Sequence, residues 1–455
     1  MDFSVPRIMI SALSSASGKT TAVCGILAAL AEQNFNPCGV KCGPDYIDPL
    51  YHKAACGKRA NIDLFFTNKE DIIEVFAHDV KDSKIAVIEG AMGYFDGLSI
   101  DSCSASAFDI ARTLLCPVVL VVDASARALS VCAEIHGAKT FRSPDLISAV
   151  ILNRCSAALY KKIAPIIEKE CSVKVLGYFP KDESFSLDSR NLGLVLPFEE
   201  KSAGRISNKI ESFKKTVLEN IDLKSLLEIA FRAEPLHFKE KIFPAKRKNL
   251  KEKIIIAVAK DEAFSFYYRE NFDLMESFGA KIEFFSPLHD SKLPENCSAI
   301  YIGGGYPELY SELLKANECI KKELFCAVLK EKMPVFAECG GFMYLKLIGI
   351  LPGLCKDTGH LVRFGYCTVT AKRDTLLCEK GTKIPVHEFH HFDSAEEWEN
   401  GNAFFAQKLN GKNWECIVAE DNIFAGWPHF YFPSYPKIAE NFIRRAISFA
   451  SKKKI

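Results

Sequence analysis

The chain has 455 residues, of which 48% are hydrophobic and 25% charged, and its formal net charge is +1. That length suits two large domains or about three ordinary ones, and the composition is globular, with enough apolar residues for sizeable cores. A nearly neutral chain gives no electrostatic case for a nucleic-acid or membrane partner, and its longest apolar runs, "CPVVLVVDA" and "KIIIAVA", are too short to span a bilayer. The seventeen cysteines include no CxxC pair. An odd count without metal-ligand spacing predicts reduced, buried thiols in a cytoplasmic protein.

Short, β-branched runs recur along the chain, each followed by a turn bearing Gly or Asp and then a helical pattern. The first half holds "RIMISA", "KIAVIEG", "PVVLVVDA", "ISAVILNR" and "VKVLGYFP". The second holds "KIIIAVA", "KIEFFSP", "SAIYIGGG" and "MPVFAECGG". Runs of this kind predict parallel strands buried on both faces, joined by crossover helices. The expected fold class is therefore α/β in two domains, residues 1–199 and 253–455. Between them, 200–252 reads as a helical segment ending in a basic connector. That connector, "KEKIFPAKRKNLKEK", is broken by Glu240 and Glu252 and reads as a solvated linker rather than a nucleic-acid patch.

"SALSSASGKTT" (11–21) ends a predicted strand and opens a predicted helix. Ser17, Gly18, Lys19, Thr20 and Thr21 would aim backbone N–H groups and the positive helix end at phosphates. Lys19 would reach the terminal phosphates and Thr20 would join a Mg²⁺ shell. A strict phosphate loop carries glycine at position 13, which is Leu13 here, so a chance GKT at a helix start is the alternative. Two acidic stretches argue against chance. "KCGPDYIDPLYH" (41–52) brings Lys41, Asp45, Tyr46 and Asp48. "VIEGAMGYFDG" (87–97) brings Glu89 and Asp96. Both follow strands, on the side where open α/β sheets bind ligands. Thr20, Asp45 and Glu89 are candidate metal ligands, with Tyr46, Asp48 and Asp96 on the substrate side. Asn153 ends a strand on the same side and is a candidate for the nucleotide base, with a structural cap as the alternative.

Taken together, GKTT, "KCGPDYIDPLYH", "EGAMGYFDG" and "VVDAS" resemble the amidotransferase-ligases of corrin biosynthesis, in particular the cobyrinic acid a,c-diamide synthase family. The first domain of that family is similar to dethiobiotin synthetase. In the family the first loop glycine falls one place earlier, where this chain has Ala12, and Ala16 stands where another glycine is common. The departure bears on nucleotide affinity, since a Cβ at either position could crowd a phosphate.

"MPVFAECGGFMYL" (333–345) reads as a strand, a tight turn and a helix, with Cys339 at the corner ahead of Gly340 and Gly341. This pattern is a nucleophile elbow, in which the helix's positive end favours thiolate. A buried small hydrophobe is the plain alternative for one cysteine of seventeen. An oxyanion hole would come from Gly304, Gly305 and Gly340. The base would come from "HEFHH" (His387, His390, His391) or from His429 in "GWPHFYFPS". Three histidines suggest a metal, yet no cysteine or acid at ligand spacing completes the set. "AECGG" and "GGGYPE" resemble the class I glutamine amidotransferase domain of the cobyric type, and that resemblance implies His429 as the base. Many class I relatives carry glutamate two residues beyond this histidine, where this chain has Tyr431, so a Cys339–His429 dyad is expected.

The resemblance covers nearly the whole chain. It implies ATP- and glutamine-dependent amidation of the a and c acetates of cobyrinic acid through an acyl phosphate, with Mg²⁺. The implied partners are glutamine, ATP and a corrin or related tetrapyrrole, with a homodimer left open. Nickel sirohydrochlorin a,c-diamide synthase shares the motifs. Cobyric acid synthase reads differently at "GPDYIDP" and "YFDG". A rival of another class is a phosphate-loop ATPase switch carrying an inactive glutaminase-like domain.

Overall fold

The apolar runs of the first half assemble into one seven-stranded parallel sheet. Its strands are β1 (Arg7–Ser11), β2 (Pro37–Cys42), β3 (Arg59–Ile62), β4 (Ile85–Glu89), β5 (Val118–Asp123), β6 (Ile147–Asn153) and β7 (Lys174–Tyr178). Their order is β3-β2-β4-β1-β5-β6-β7. β1, β2 and β4 are buried along their whole length, as expected for strands covered by helices on both faces. The chain leaves β1 between β4 on one side and β5 on the other, so the loop after β1 lies at the crevice where such sheets take ligands. That loop runs into α1 (Lys19–Glu32), and the loop after β2 runs into α2 (Asp48–Cys56).

The structure is a computed structural model and describes every residue except 183–184, 186–188, 191–192, 195–199, 245–253, 395–400 and 454–455. It divides into two compact units, Met1–Lys241 and Ile242–Ile455. Most of the basic connector, residues 245–253, therefore lies outside the described residues. The helical segment that precedes it, α3 (Glu200–Asn220), packs on α1 within the first unit. The contact is close because Gly25 lacks a side chain. A Cβ there would meet the Phe213 carbonyl oxygen at 2.9 Å and a Val217 methyl at 2.8 Å. Among the described residues no helix is long and apolar enough to cross a membrane.

The second unit is built on two sheets. The first contains β8 (Ile254–Ala259), β9 (Ala280–Phe285), β10 (Cys297–Ile302), β11 (Val335–Glu338), β16 (Val418–Glu420) and β17 (Ile423–Gly426). Its order is β9-β8-β10-β11-β17-β16, parallel except for the last strand. The second sheet is antiparallel, in the order β15-β14-β12-β13-β18. Its strands are β12 (Arg363–Ala371), β13 (Lys383–His390), β14 (Phe404–Gln407), β15 (Asn413–Cys416) and β18 (His429–Phe430). The helix after β11 is α4 (Gly340–Leu347).

The α1–α3 contact gives the first prediction. Gly25→Val should cost about 1–3 kcal/mol, the usual price of overpacking, measured by urea unfolding. Gly137→Ala, in a helix where a Cβ meets nothing within 4 Å, should leave stability unchanged or raise it by up to about 1 kcal/mol.

Candidate active sites

In the first unit the groups singled out in the sequence gather at the C-terminal ends of β1, β2, β4 and β6. Gly18 caps α1 with φ 91°, a left-handed conformation that favours glycine. A Cβ at Gly18 would also lie 2.3 Å from the Asn153 side-chain nitrogen. Asn153 Nδ2 donates to the Ser17 carbonyl at 2.8 Å, and the Arg154 guanidinium donates to the Ala16 carbonyl at 3.0 Å and to Asp123 at 2.5 Å. The ends of β5 and β6 thus brace the loop from behind, and the Asn153 amide nitrogen is engaged in that bracing. Thr21 donates to the Phe185 carbonyl. The N–H groups of the first turn of α1 have no partners inside the helix, as at any helix start.

Lys19 lies across the loop, donating to the carbonyls of Ser14 (2.9 Å) and Met92 (2.6 Å). Burial, followed by the nearby Lys41 ammonium, lowers its pKa to about 8. The loop after β4 is drawn onto the phosphate loop by a second bond, Tyr94 N–H to the Ala12 carbonyl at 2.7 Å. Gly93 permits this approach, since a Cβ there would come within 2.6 Å of the Leu13 carbonyl oxygen. Asp96 is exposed and accepts the Gly93 N–H at 3.0 Å.

Glu89 is the hub. It is fully buried and accepts from Thr20 Oγ1 at 2.7 Å, Lys41 Nζ at 2.9 Å and His52 Nε2 at 2.7 Å. Parallel pairing sets Lys41 directly beside Glu89 on neighbouring strands. Lys41 also contacts Asp48 at 2.5 Å and Asp45 at 4.0 Å. Burial alone would raise the Glu89 pKa, but Lys41, and then His52 and Thr20, hold it well below the usual carboxylate range. Burial likewise opposes the charge on Lys41, and the Asp48 and Glu89 carboxylates overcome it and keep it protonated. Asp45 Oδ1 accepts the N–H groups of Ile47 and Asp48 and so shapes the start of α2, and Tyr46 is buried beside it. Thr20 and Glu89 present hard oxygens at the phosphate loop, the donor chemistry that suits Mg²⁺, while Asp45 meets the cluster through Lys41 at 4.0 Å. His52 is a member of this cluster that the sequence reading passed over. Its signal was its place four residues after Asp48, on the same helical face.

In the second unit, Cys339 stands at the end of β11 with φ 50° and ψ −107°. Among the seventeen cysteines it alone has positive φ. Such a conformation costs on the order of 1–3 kcal/mol and persists where its surroundings fix it. Cys339 N–H donates to the Gly426 carbonyl at 2.8 Å, which pins the corner to β17. The two glycines that follow answer a demand for close approach. A Cβ on Gly341 would meet the Ile302 carbonyl oxygen at 2.2 Å, and one on Gly340 would lie 3.0 Å from the Gly305 amide nitrogen. Gly305 and Gly340 are thereby brought together beside the sulfur, while Gly304 faces the imidazole: a Cβ there would sit 2.5 Å from His429 Cε1.

His429 reaches Cys339 because the chain passes from β17 of one sheet to β18 of the other within two residues. It is buried and contacts both the Cys339 sulfur and the Glu338 carboxylate, whose Oε1 is 4.0 Å from Nδ1. Burial would lower its pKa, but Cys339 and Glu338 raise it to about 10. The "HEFHH" histidines do not converge. Side chains alternate along β13, so His387 and His390 take opposite faces. His387 pairs across the sheet with His429, and burial, followed by the His429 charge, lowers its pKa to about 3. His390 is stacked on Trp427, with one ring nitrogen on Glu388 and the other on the Phe392 carbonyl. His391 contributes its carbonyl, which accepts from Thr358.

Two family models match the chain. Residues 8–195 match the CobQ/CobB/MinD/ParA nucleotide binding domain, and residues 255–353 match the CobB/CobQ-like glutamine amidotransferase domain. A nucleotide-binding domain followed by a glutamine amidotransferase domain defines the class, an amide-forming ligase that uses glutamine. Full-length relatives narrow it. The cobyrinate a,c-diamide synthase of Clostridium tetani is 39% identical, the alignment covering 93% of this chain and 96% of the relative. Those of Dehalococcoides mccartyi (strain ATCC BAA-2266 / KCTC 15142 / 195) and Picrophilus torridus are each 36% identical, covering 96% and 97% of this chain and 98% of each relative. The chain belongs to the cobyrinate a,c-diamide synthase family.

The Lys41 cluster yields a stability prediction. Lys41→Met leaves the fully buried Glu89 and the partly buried Asp48 without their ammonium and should cost about 3–5 kcal/mol at pH 7.5. The deficit relative to the parent should shrink toward pH 5, because the unpaired carboxylates then take up protons more readily in the folded state than in the unfolded chain. Urea unfolding of both proteins at the two pH values measures this.

Proposed function

We propose that this chain amidates the a and c acetate carboxylates of cobyrinic acid, with ATP activating the acid and glutamine supplying the nitrogen. The observation that carries this reading is the pairing, in one polypeptide, of a phosphate loop facing Asp45, Asp48 and Glu89 with a strained cysteine facing a buried histidine.

In the glutaminase half-reaction the Cys339 sulfur attacks the side-chain amide carbon of glutamine. The developing oxyanion takes hydrogen bonds from the backbone N–H groups of Gly305 and Gly340, with Gly304 completing the wall. His429 gives its proton to the departing nitrogen, and ammonia leaves a glutamyl thioester. Water, deprotonated by His429, then cleaves that thioester to glutamate and restores the thiol.

In the synthetase half-reaction a substrate carboxylate oxygen attacks the terminal phosphorus of ATP, giving an acyl phosphate and ADP. Ammonia adds to the acyl carbon and inorganic phosphate departs. Activation is required because oxide is a poor leaving group and phosphate a good one. Ser17, Gly18 and Thr21 hold the phosphates through the helix start, and Lys19 swings from its two carbonyls onto the terminal phosphate, a charge-assisted contact that restores its proton affinity. Thr20, Asp45 and Glu89 would hold Mg²⁺, which neutralises phosphate charge when bound. Tyr46, Asp48 and Asp96 border the substrate carboxylate, and Asn153 keeps the loop in its binding shape.

The test of substrate is incubation with ATP, Mg²⁺ and glutamine against cobyrinic acid and nickel sirohydrochlorin, read by product mass. Two-fold amidation of cobyrinic acid is expected. Exclusive use of the nickel macrocycle would transfer the reading to that enzyme. Cys339→Ser should abolish glutamine use and keep activity with ammonium salts, whereas Lys19→Ala or Glu89→Gln should lose about 10²-fold or more with either nitrogen source. Equal loss of both activities in Cys339→Ser would refute the division of labour.

A further inference from the structure

We propose that the Glu338 carboxylate, presented by the residue immediately preceding Cys339, is the charge partner of His429 and a positioning residue of the glutaminase; this rests on the reading of Cys339 and His429 given above. At the position two residues beyond His429, where a glutamate is common in related domains, the chain has Tyr431, whose ring is buried edge-on against Tyr268. Tyr431 therefore supplies no negative charge, and the geometry supplies it from β11.

Glu338 is 1% exposed and held from two sides. Tyr301 donates its hydroxyl to Oε1 at 2.8 Å, and the Phe430 N–H, next in the chain to His429, donates to Oε2 at 3.0 Å. Asn271 fixes the same strand, donating to the Phe430 carbonyl at 2.8 Å and accepting from the Phe432 N–H at 2.7 Å. The carboxylate is thus anchored to the backbone beside His429, and its Oε1 lies 4.0 Å from Nδ1. That is a Coulombic contact rather than a hydrogen bond, and such contacts often tighten only in the substrate complex. The groups facing the His429 ring are Cys339 from the corner, Glu338 with Tyr301 behind it, and His387 from β13, which Lys408 approaches in turn. Cys339 contributes more than Glu338 to the His429 charge in the resting site. Its sulfur is bonded to carbon once glutamine has been attacked, so the charge His429 carries to the leaving nitrogen then rests on Glu338, the one carboxylate among them.

A purely structural role for Glu338 is the competing account, and the two diverge in a pair of variants. Glu338→Gln keeps the shape and removes the charge, and it retains both partners with its carbonyl oxygen on the Phe430 N–H and its amide N–H donating to the Tyr301 oxygen. Tyr301→Phe removes one anchoring bond but keeps the charge. Positioning predicts that Glu338→Gln lowers kcat for glutamine hydrolysis about 100-fold, leaves KM for glutamine and ammonium-supported synthesis near the parent values, and moves the basic limb of the pH–rate profile to lower pH. It predicts that Tyr301→Phe keeps most of the rate, with the basic limb unmoved or shifted upward. Parent-like rate and pH profile in Glu338→Gln, or equal damage with the same downward shift in both variants, would overturn the proposal. Should Glu338→Gln not fold, the Tyr301→Phe limb decides by its direction alone. Cys339→Ser separates the layers. If it still hydrolyses glutamine, the reading of the site falls and Glu338 with it; if it is inactive while Glu338→Gln is not, only the triad assignment falls.

Discussion

A carboxylate sealed from water must find its positive charge and hydrogen-bond donors inside the protein, and in the first unit Glu89 does so by recruiting three separate elements. Thr20 comes from α1, Lys41 from β2 and His52 from α2. None of the three is near Glu89 in sequence, so the cluster forms only once the parallel sheet has its register. The sheet and the site are therefore mutually dependent. Register brings Lys41 beside Glu89, and the resulting ion pair penalises any slip that would leave either charge buried alone. Ammonium, hydroxyl and carboxylates are thereby already converged at the end of the sheet.

The second unit solves a different problem, holding one atom in an unfavourable place. The strain at Cys339 is confined to a single residue, and its neighbours supply the restraint: the Gly426 carbonyl on its N–H and α4 starting at the next residue. The same few residues bring in His429. β17, which pins Cys339, is the strand from which the chain crosses to β18 and His429. Cys339 thus follows β11, and His429 lies just beyond β17, the parallel neighbour of β11, at the start of β18.

Much of this was legible in the sequence because strands that are buried on both faces announce themselves as continuous apolar runs, and the turns after them carry the chemistry. The phosphate loop, Lys41, Asp45, Asp48, Glu89, Cys339 and His429 all occupy strand ends or the turns beyond them. His52 and Glu338 were hidden for a common reason. Each acts through a partner distant in the chain, and each sits in a motif already explained by louder residues: His52 closes "GPDYIDPLYH", and Glu338 precedes the cysteine. The three histidines of "HEFHH" left the choice of base open in the sequence, because spacing in a line says nothing of faces. On a strand, His387 and His390 part company. The role of Gly340 and Gly341 was also only half visible. In the sequence they mark only the elbow, whereas the strained residue is the cysteine itself and the glycines admit neighbouring backbone.

The alanines at the phosphate loop show how a weak motif can still hold a strong geometry. Ala12 is fully buried and belongs to the hydrophobic core cluster that also holds Ile8 and Ile10. Its carbonyl meanwhile anchors the loop after β4 through Tyr94. Ala16 is the costlier departure. It is exposed and adopts φ 59°, a left-handed conformation disfavoured for a residue with a Cβ by about 1–2 kcal/mol. What offsets that cost lies outside the motif, in Arg154 on the Ala16 carbonyl and Asn153 on the Ser17 carbonyl, both carried by the end of β6. A glycine-rich loop is free to take many shapes and is selected into one by its ligand. Here side chains from a neighbouring strand hold a less permissive backbone in the required shape beforehand, so part of the ordering entropy is lost on folding instead of on binding.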